Sequence, residues 1–239
     1  MKKFATIYKY VSFILVSALT ANAQTLSPGD IAIIGFNYDN PDQIAFVALA
    51  EIPSGTEIKF TDNGWKSDGS FRTGEGTHTY TAASTISAGT VVDPGFSGGA
   101  LASSGDQVLA YQGDSSSPTF IYALNSEGSS GTWQSSATNS NTSALPTGLT
   151  NGTDAIALQE RDNGYYSGTT TGTKAELLTA ISDPSNWTTN NSRVDSSNWP
   201  AAFTVSGGGD PGTTTPGLLL SQSDSSTDVT EGGASDSFD

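Results

Sequence analysis

The sequence predicts an all-β fold, a β-sandwich with long loops and one short helix. Three observations carry that prediction. Apolar residues fall in runs of strand length rather than helix length, and several of those runs alternate with polar residues. Between them lie clusters of Gly, Asn, Asp, Ser and Pro, the residues whose backbone chemistry suits turns; the chain holds 27 Gly and 10 Pro. Only one stretch carries a helical period.

Strands are expected at residues 30–36, 43–49, 57–61, 77–81, 89–92, 107–111, 119–124, 154–159 and 202–205. In Glu57-Ile58-Lys59-Phe60-Thr61 the two apolar side chains face one way and the polar ones the other, as in a strand with one solvated face. Ile31-Ala32-Ile33-Ile34 and Ile44-Ala45-Phe46-Val47-Ala48-Leu49 are apolar on both faces and belong in the middle of a packed sheet. Pro53-Ser54-Gly55, Asp62-Asn63-Gly64 and Asp68-Gly69 supply the turns. A helix is expected over residues 173–181, with Ala175, Leu178 and Ile181 on one face and Asp183-Pro184 to stop it. Residues 125–153, anchored by Trp133, and 181–200, with Trp187 and Trp199, read as long loops, which in compact domains are usually functional.

The ends of the chain have a different character. Lys2, Lys3 and Lys9 precede an apolar run of about ten residues, and small residues follow at Ala21 and Ala23. Those are the parts of a secretory leader over residues 1–23, cleaved after Ala23, and the run is too short for the roughly 20 residues of a membrane span. Residues 24–205 form the sandwich. Residues 206–217 (SGGGDPGTTTPG) read as a linker, and 218–239 as the truncated start of a second β module, so the polypeptide is expected to continue past Asp239.

Losing the leader removes three of nine basic residues and none of 24 acids, taking the formal charge from −15 to −18. Such a field repels phosphate backbones and anionic lipid, so neither nucleic-acid binding nor membrane insertion after cleavage is expected. Cysteine is absent, which rules out disulfides, thiolate catalysis and cysteine-bound metals.

Several segments carry a resemblance: GDIAIIGFNYDNPDQIAFVAL at 29–49, IPSGTEIKFTDNGW at 52–65, GEGTHTYTA at 74–82, SGDQVLAYQG at 104–113 and SALPTGLTNG at 143–152. Together they resemble secreted bacterial modules distantly similar to lamin-tail domains, which implies an immunoglobulin-like or lamin-tail-like sandwich. The chain departs from the lamin-tail pattern in its greater length and in lacking an acidic-aromatic EWIEL strand. Val229-Thr230-Glu231-Gly232-Gly233 after Leu218-Leu219-Leu220 resembles the opening of a Calx-beta-like repeat. The two resemblances imply a modular protein of the cell surface or the medium.

Candidate chemistry is sparse. His78, the one histidine, shares a strand face with Tyr80, and no Gly-x-Ser-x-Gly elbow accompanies it; a packed strand histidine is the plainer account. Glu51, Glu57, Glu75 and Glu160 could serve a glycosidase pair, but each sits beside a turn or at a strand end, where solvated acids are common. Glu75 stands out because Gly74 and Gly76 flank it and leave room for a ligand. No catalytic residue is assigned, and no enzyme activity is expected.

Calcium is the one cofactor the loops suggest, through oxygen ligands at Asp39, Asp42, Asp62 and Asp68, although ordinary turn chemistry also places Asp there. Trp133, Tyr165 and Tyr166 read as loop aromatics able to stack on sugar rings, whereas Trp65 and Trp187 read as plugs at the ends of the sandwich. The expected function is a non-catalytic surface, adhesion or interaction module meeting an extracellular glycan or protein. A carbohydrate-binding module steadied by calcium and an accessory domain of a secreted hydrolase are the rivals. Oligomeric state is not legible.

Overall fold

The computed structural model describes residues 24–96, 101–128 and 130–207. Residues 1–23, expected as a leader, most of the expected linker and the expected start of a second module, with the segment likened to a Calx-beta repeat, lie outside them. Among the described residues twelve strands form, in chain order β1 (Ile31–Asn37), β2 (Gln43–Ala48), β3 (Glu57–Thr61), β4 (Thr77–Thr81), β5 (Val91–Val92), β6 (Gln107–Asp114), β7 (Ser117–Asn125), β8 (Ala155–Ala157), β9 (Asn163–Tyr166), β10 (Thr171–Thr173), β11 (Trp187–Asn190) and β12 (Thr204–Ser206). The one α-helix among the described residues, α1, spans Lys174–Ile181. The all-β expectation holds.

Two five-stranded sheets face each other, with strand orders β11-β9-β1-β2-β5 and β4-β3-β6-β7-β8; β10 and β12 make a small parallel pair beside them. Ile31, Ile33, Ile44 and Phe46 of the first sheet share one core with Ile58, Phe60, Val108, Tyr122 and Ile156 of the second. The first two strands are central, as their two-faced apolar sequence requires, and β1 is buried along its whole length. Its register with β2 shifts between Ile33 and Gly35. The ring of Trp199 lies so close over Gly35 that an added Cβ would stand 2.6–2.9 Å from three of its atoms.

Helix α1 starts where its chemistry says it should. Thr173 and Glu176 form a capping box that satisfies orphan N–H groups of the first turn. Its buried face is Leu177, Leu178 and Ile181, with Ala175 exposed, which corrects the expected face by one position. Leu178 packs at Gly29, where an added Cβ would meet its Cδ1 at 2.5 Å. Among the described residues no helix is long and apolar enough to cross a membrane.

Candidate functional site

The second sheet is apolar on both faces, and this builds the site. Along β6, Val108 and Ala110 join the core between the sheets, while Leu109 and Tyr111 belong to a second cluster with Phe120, Ala123 and Ala155. Left bare, that outer face would expose a large apolar patch. Two loops cover it. Residues 62–76 bring Trp65 and Phe71, and residues 126–154 bring Trp133, Leu145 and Leu149. Trp65 meets Phe71 and Phe120 edge-on, at centroid distances of 5.0 and 4.9 Å.

Hydrogen bonds stitch the two loops together. The backbone N–H of Trp65 donates to Ser143 Oγ at 2.9 Å, and its carbonyl accepts from the N–H groups of Ala137 and Ala144. The Trp65 indole donates to Thr147 Oγ1 at 3.2 Å. Gly64 is required at this crossing: an added Cβ would lie 2.1 Å from the Thr142 carbonyl oxygen. The long loop expected over 125–153, anchored by Trp133, is therefore the cover of a second core.

Where this cover ends, a groove of about 340 Å³ opens between residues 70–77 and the β6–β7 turn at Ser115-Ser116. Phe71 and Tyr111 supply its aromatic wall, with centroids 5.2 Å apart. Burial pushes the Tyr111 hydroxyl upward, against its hydrogen bond with Thr77. Arg72 and Glu75 line the groove and pair with each other, Nη1 to Oε2 at 3.5 Å. That contact is an ion pair without hydrogen-bond geometry, so Glu75 Oε2 is buried with no hydrogen-bond partner. Burial first, then the neighbouring charge of Asp62, pushes the Glu75 carboxyl up to about 7, with Arg72 opposing.

Asn63 holds the floor of this loop in shape. Its side-chain amide donates to Thr61 Oγ1 at 2.9 Å and to the Gly76 carbonyl at 3.0 Å, and its Oδ1 accepts from the Glu75 N–H at 3.2 Å. The backbone N–H of Arg72 donates to the Gly64 carbonyl at 2.7 Å. The two charged side chains thus spring from a locally rigid backbone.

The residues expected to ligate calcium do not come together. Asp39 accepts from the Asn163 side-chain amide at 2.8 Å, and Asp42 from the Leu101 N–H at 2.9 Å; both flank the β1–β2 loop of the first sheet. On the second sheet Asp62, fully buried, accepts from the Gly76 N–H at 2.8 Å. Asp68, exposed, accepts from Ser70 Oγ at 2.7 Å and pairs with Lys66, and these hold its carboxyl below the usual range. Burial raises Asp42 instead. Among the described residues no three His, Cys, Asp or Glu side chains gather where they could hold a metal ion.

The expected aromatic platform is also divided. Tyr166 is a strand residue of β9, fully buried against Trp187 and Phe203, and its hydroxyl donates to the Thr169 carbonyl at 2.7 Å. It cannot stack on a ligand, which corrects its reading as a loop ring. Tyr165, its neighbour in β9, is half-buried against the first core. Trp133 is half-buried on the second cluster and donates its indole N–H to Asn151 Oδ1 at 2.9 Å. Trp65 and Trp187 are buried, at 5 and 9 % exposure, as plugs should be.

His78 is half-buried on β4, its Nε2 2.7 Å from the Pro94 carbonyl oxygen. Glu57 lines a polar cleft of about 330 Å³ with Lys59 and Asp114, and Glu160 another of about 350 Å³ with Glu127 and Arg161, neither with an aromatic wall. Glu51 is exposed. Of the acids singled out in the sequence, Glu75 is the one set in an aromatic-lined groove. No family model, no curated protein and no solved structure was found to match this chain.

Proposed function

We propose that the chain is a non-catalytic interaction module of an exported, modular protein, and that its ligand site is the groove on the outer face of the second sheet. The observation that carries this is the groove itself: an aromatic wall beside a charge pair, on backbone fixed by the second core. Binding sites generally join an apolar lining to a few placed polar groups. The leader-like first 23 residues and the acidic composition support export.

Catalysis is disfavoured by how the acids are used. A glycosidase pair must flank the scissile bond. Asp62, the acid coupled to Glu75, is fully buried and bonded to the Gly76 backbone, so it does not face a substrate in the groove. The distant resemblance to lamin-tail modules belongs to the same proposal.

The test is a screen of the full chain, purified after export, against arrays of extracellular glycans and surface proteins. Saturable binding with no ligand turnover is expected, abolished when Ser115→Trp fills the mouth of the groove. Turnover that disappears in Glu75→Gln would overturn the non-catalytic assignment. Binding untouched by Ser115→Trp would move the site elsewhere.

A further inference from the structure

Resting on the interaction-module reading, we propose that the groove takes a neutral pyranose unit of a glycan, laid on Phe71, with its hydroxyls shared between Arg72 and Glu75. Phe71 is a half-buried ring braced on its inner side: Trp65, Tyr111 and Phe120 pack against it at 5.0, 5.2 and 5.7 Å. A rigid aromatic surface costs little entropy to use and offers a π face to the C–H face of a sugar.

The polar side of the groove sets the ligand's charge. Arg72 brings one positive and Glu75 one negative group, already opposed to each other, so the pair is locally compensated. A charged ligand would have to break that pair. An acidic one would also enter against the net charge of the chain, −15. A hydroxyl-rich neutral ligand disturbs neither: one hydroxyl accepts from the Arg72 guanidinium, which is one-third exposed, and another meets the Glu75 side chain where its remaining 12 % exposure opens on the groove. With its carboxyl pushed up to about 7, Glu75 also exists in both protonation forms near neutrality and can donate to a sugar oxygen in turn.

Size narrows the class further. At about 340 Å³ the groove lies at the lower end of the range of roughly 300–1,000 Å³ for small-molecule sites. That suits one or two sugar rings of a longer chain leaving over the β6–β7 turn, rather than a folded protein surface.

The experiment is titration calorimetry of the full chain with cellotetraose, mannotetraose and xylotetraose, and with tetragalacturonate as the acidic counterpart. At least one neutral tetrasaccharide should bind saturably. Phe71→Ala and Arg72→Ala should each weaken it by about tenfold or more, while Thr188→Ala, exposed on β11 of the other sheet, leaves it unchanged. Because Phe71→Ala removes part of the second core, Ser115→Trp, at an exposed turn, is the variant that blocks the groove without touching packing. If no neutral probe binds at millimolar concentration, the assignment is wrong. If tetragalacturonate or an arrayed protein binds instead and Ser115→Trp blocks it, the neutral-glycan class falls while the interaction module stands. Neutral-sugar binding indifferent to both Phe71→Ala and Ser115→Trp overturns the groove as its seat.

Discussion

Asp106 offers the sharpest test of the electrostatics. It is 1 % exposed at the start of β6, and its two oxygens accept from the N–H groups of Ala102 at 2.7 Å and Gln107 at 2.8 Å. Burial outweighs those two hydrogen bonds, and the charges of Asp62 and Glu75 add to it, so the carboxyl is pushed up to about 8. Between the ordinary value of 3.8 and about 8 the folded state therefore holds a proton that the unfolded state has released. Stability must fall as pH rises through that window and level off above it. The slope approaches about 1.4 kcal/mol per pH unit where this one proton differs. From pH 5 to 7 the ceiling is about 2–3 kcal/mol, a drop of roughly 5–10 °C in melting temperature for a domain of this size.

General charge repulsion in an acidic chain has the same sign, so the discriminating experiment compares the wild type with Asp106→Asn. The amide keeps one acceptor and loses the other, costing about 1 kcal/mol at pH 5, where the wild-type acid is already neutral. At pH 8 the variant should be the more stable of the two, because the wild type is then ionising a buried group. Melting curves of both, taken from pH 5 to 9 by circular dichroism, should cross. A wild-type melting temperature that is flat or rising over pH 5 to 8, or parallel curves for the two proteins, would refute the reasoning.

Other substitutions test the packing. Trp65→Ala should cost about 3–5 kcal/mol and raise hydrogen exchange in residues 62–76 and 126–154 more than in β1 and β2; a uniform rise would mean that the second core is not a separate unit. Gly35→Ala drives a methyl into the Trp199 ring and should cost about 1–3 kcal/mol, read as a lowered denaturant midpoint. Thr173→Ala removes one half of the capping box and should cost about 1 kcal/mol by the same measurement. With Asp39, Asp42, Asp62 and Asp68 each held by separate partners, excess calcium followed by EDTA should leave the melting temperature of the chain unchanged, and a reversible rise would restore calcium to the loops.

What could be read from the sequence follows from how each strand is buried. Strands β1 and β2 announce themselves because both faces are apolar, and β3 because it alternates. Strands β9 and β11 are short and polar, Asn163-Gly164-Tyr165-Tyr166 and Trp187-Thr188-Thr189-Asn190, and only pairing against β1 and each other makes them strands. The tertiary context overrides their turn-like composition. Tyr166 reads as a loop ring for that reason: it stands beside Asn and Gly, and only the strand turns it into the core.

The groove was only half legible. Glu75 stands out by its flanking glycines, but Phe71, Arg72 and Tyr111 carry no motif. A usable signal existed in β6, where Val108-Leu109-Ala110-Tyr111 is apolar on both faces. Such a strand needs cover on its outer side, and residues 62–76 and 126–154 are the cover. No period marks them, because irregular loops place Trp65, Leu145 and Leu149 by backbone hydrogen bonds rather than by helix or strand spacing.

That second core also ties stability to binding. Phe71 is at once a wall of the groove and a packing partner of Trp65, so a ligand held on Phe71 binds only while the loop cover is closed. Mass action then makes ligand stabilise the closed cover by RT ln(1 + [L]/Kd), about 2.7 kcal/mol at a hundredfold excess over Kd. The core between the sheets does not touch the ligand, so its local openings should be indifferent to it. Protection from hydrogen exchange gained on saturation should therefore concentrate at Trp65, Ala137 and Ala144, whose amides close the cover, and be absent from opening events confined to β1 and β2.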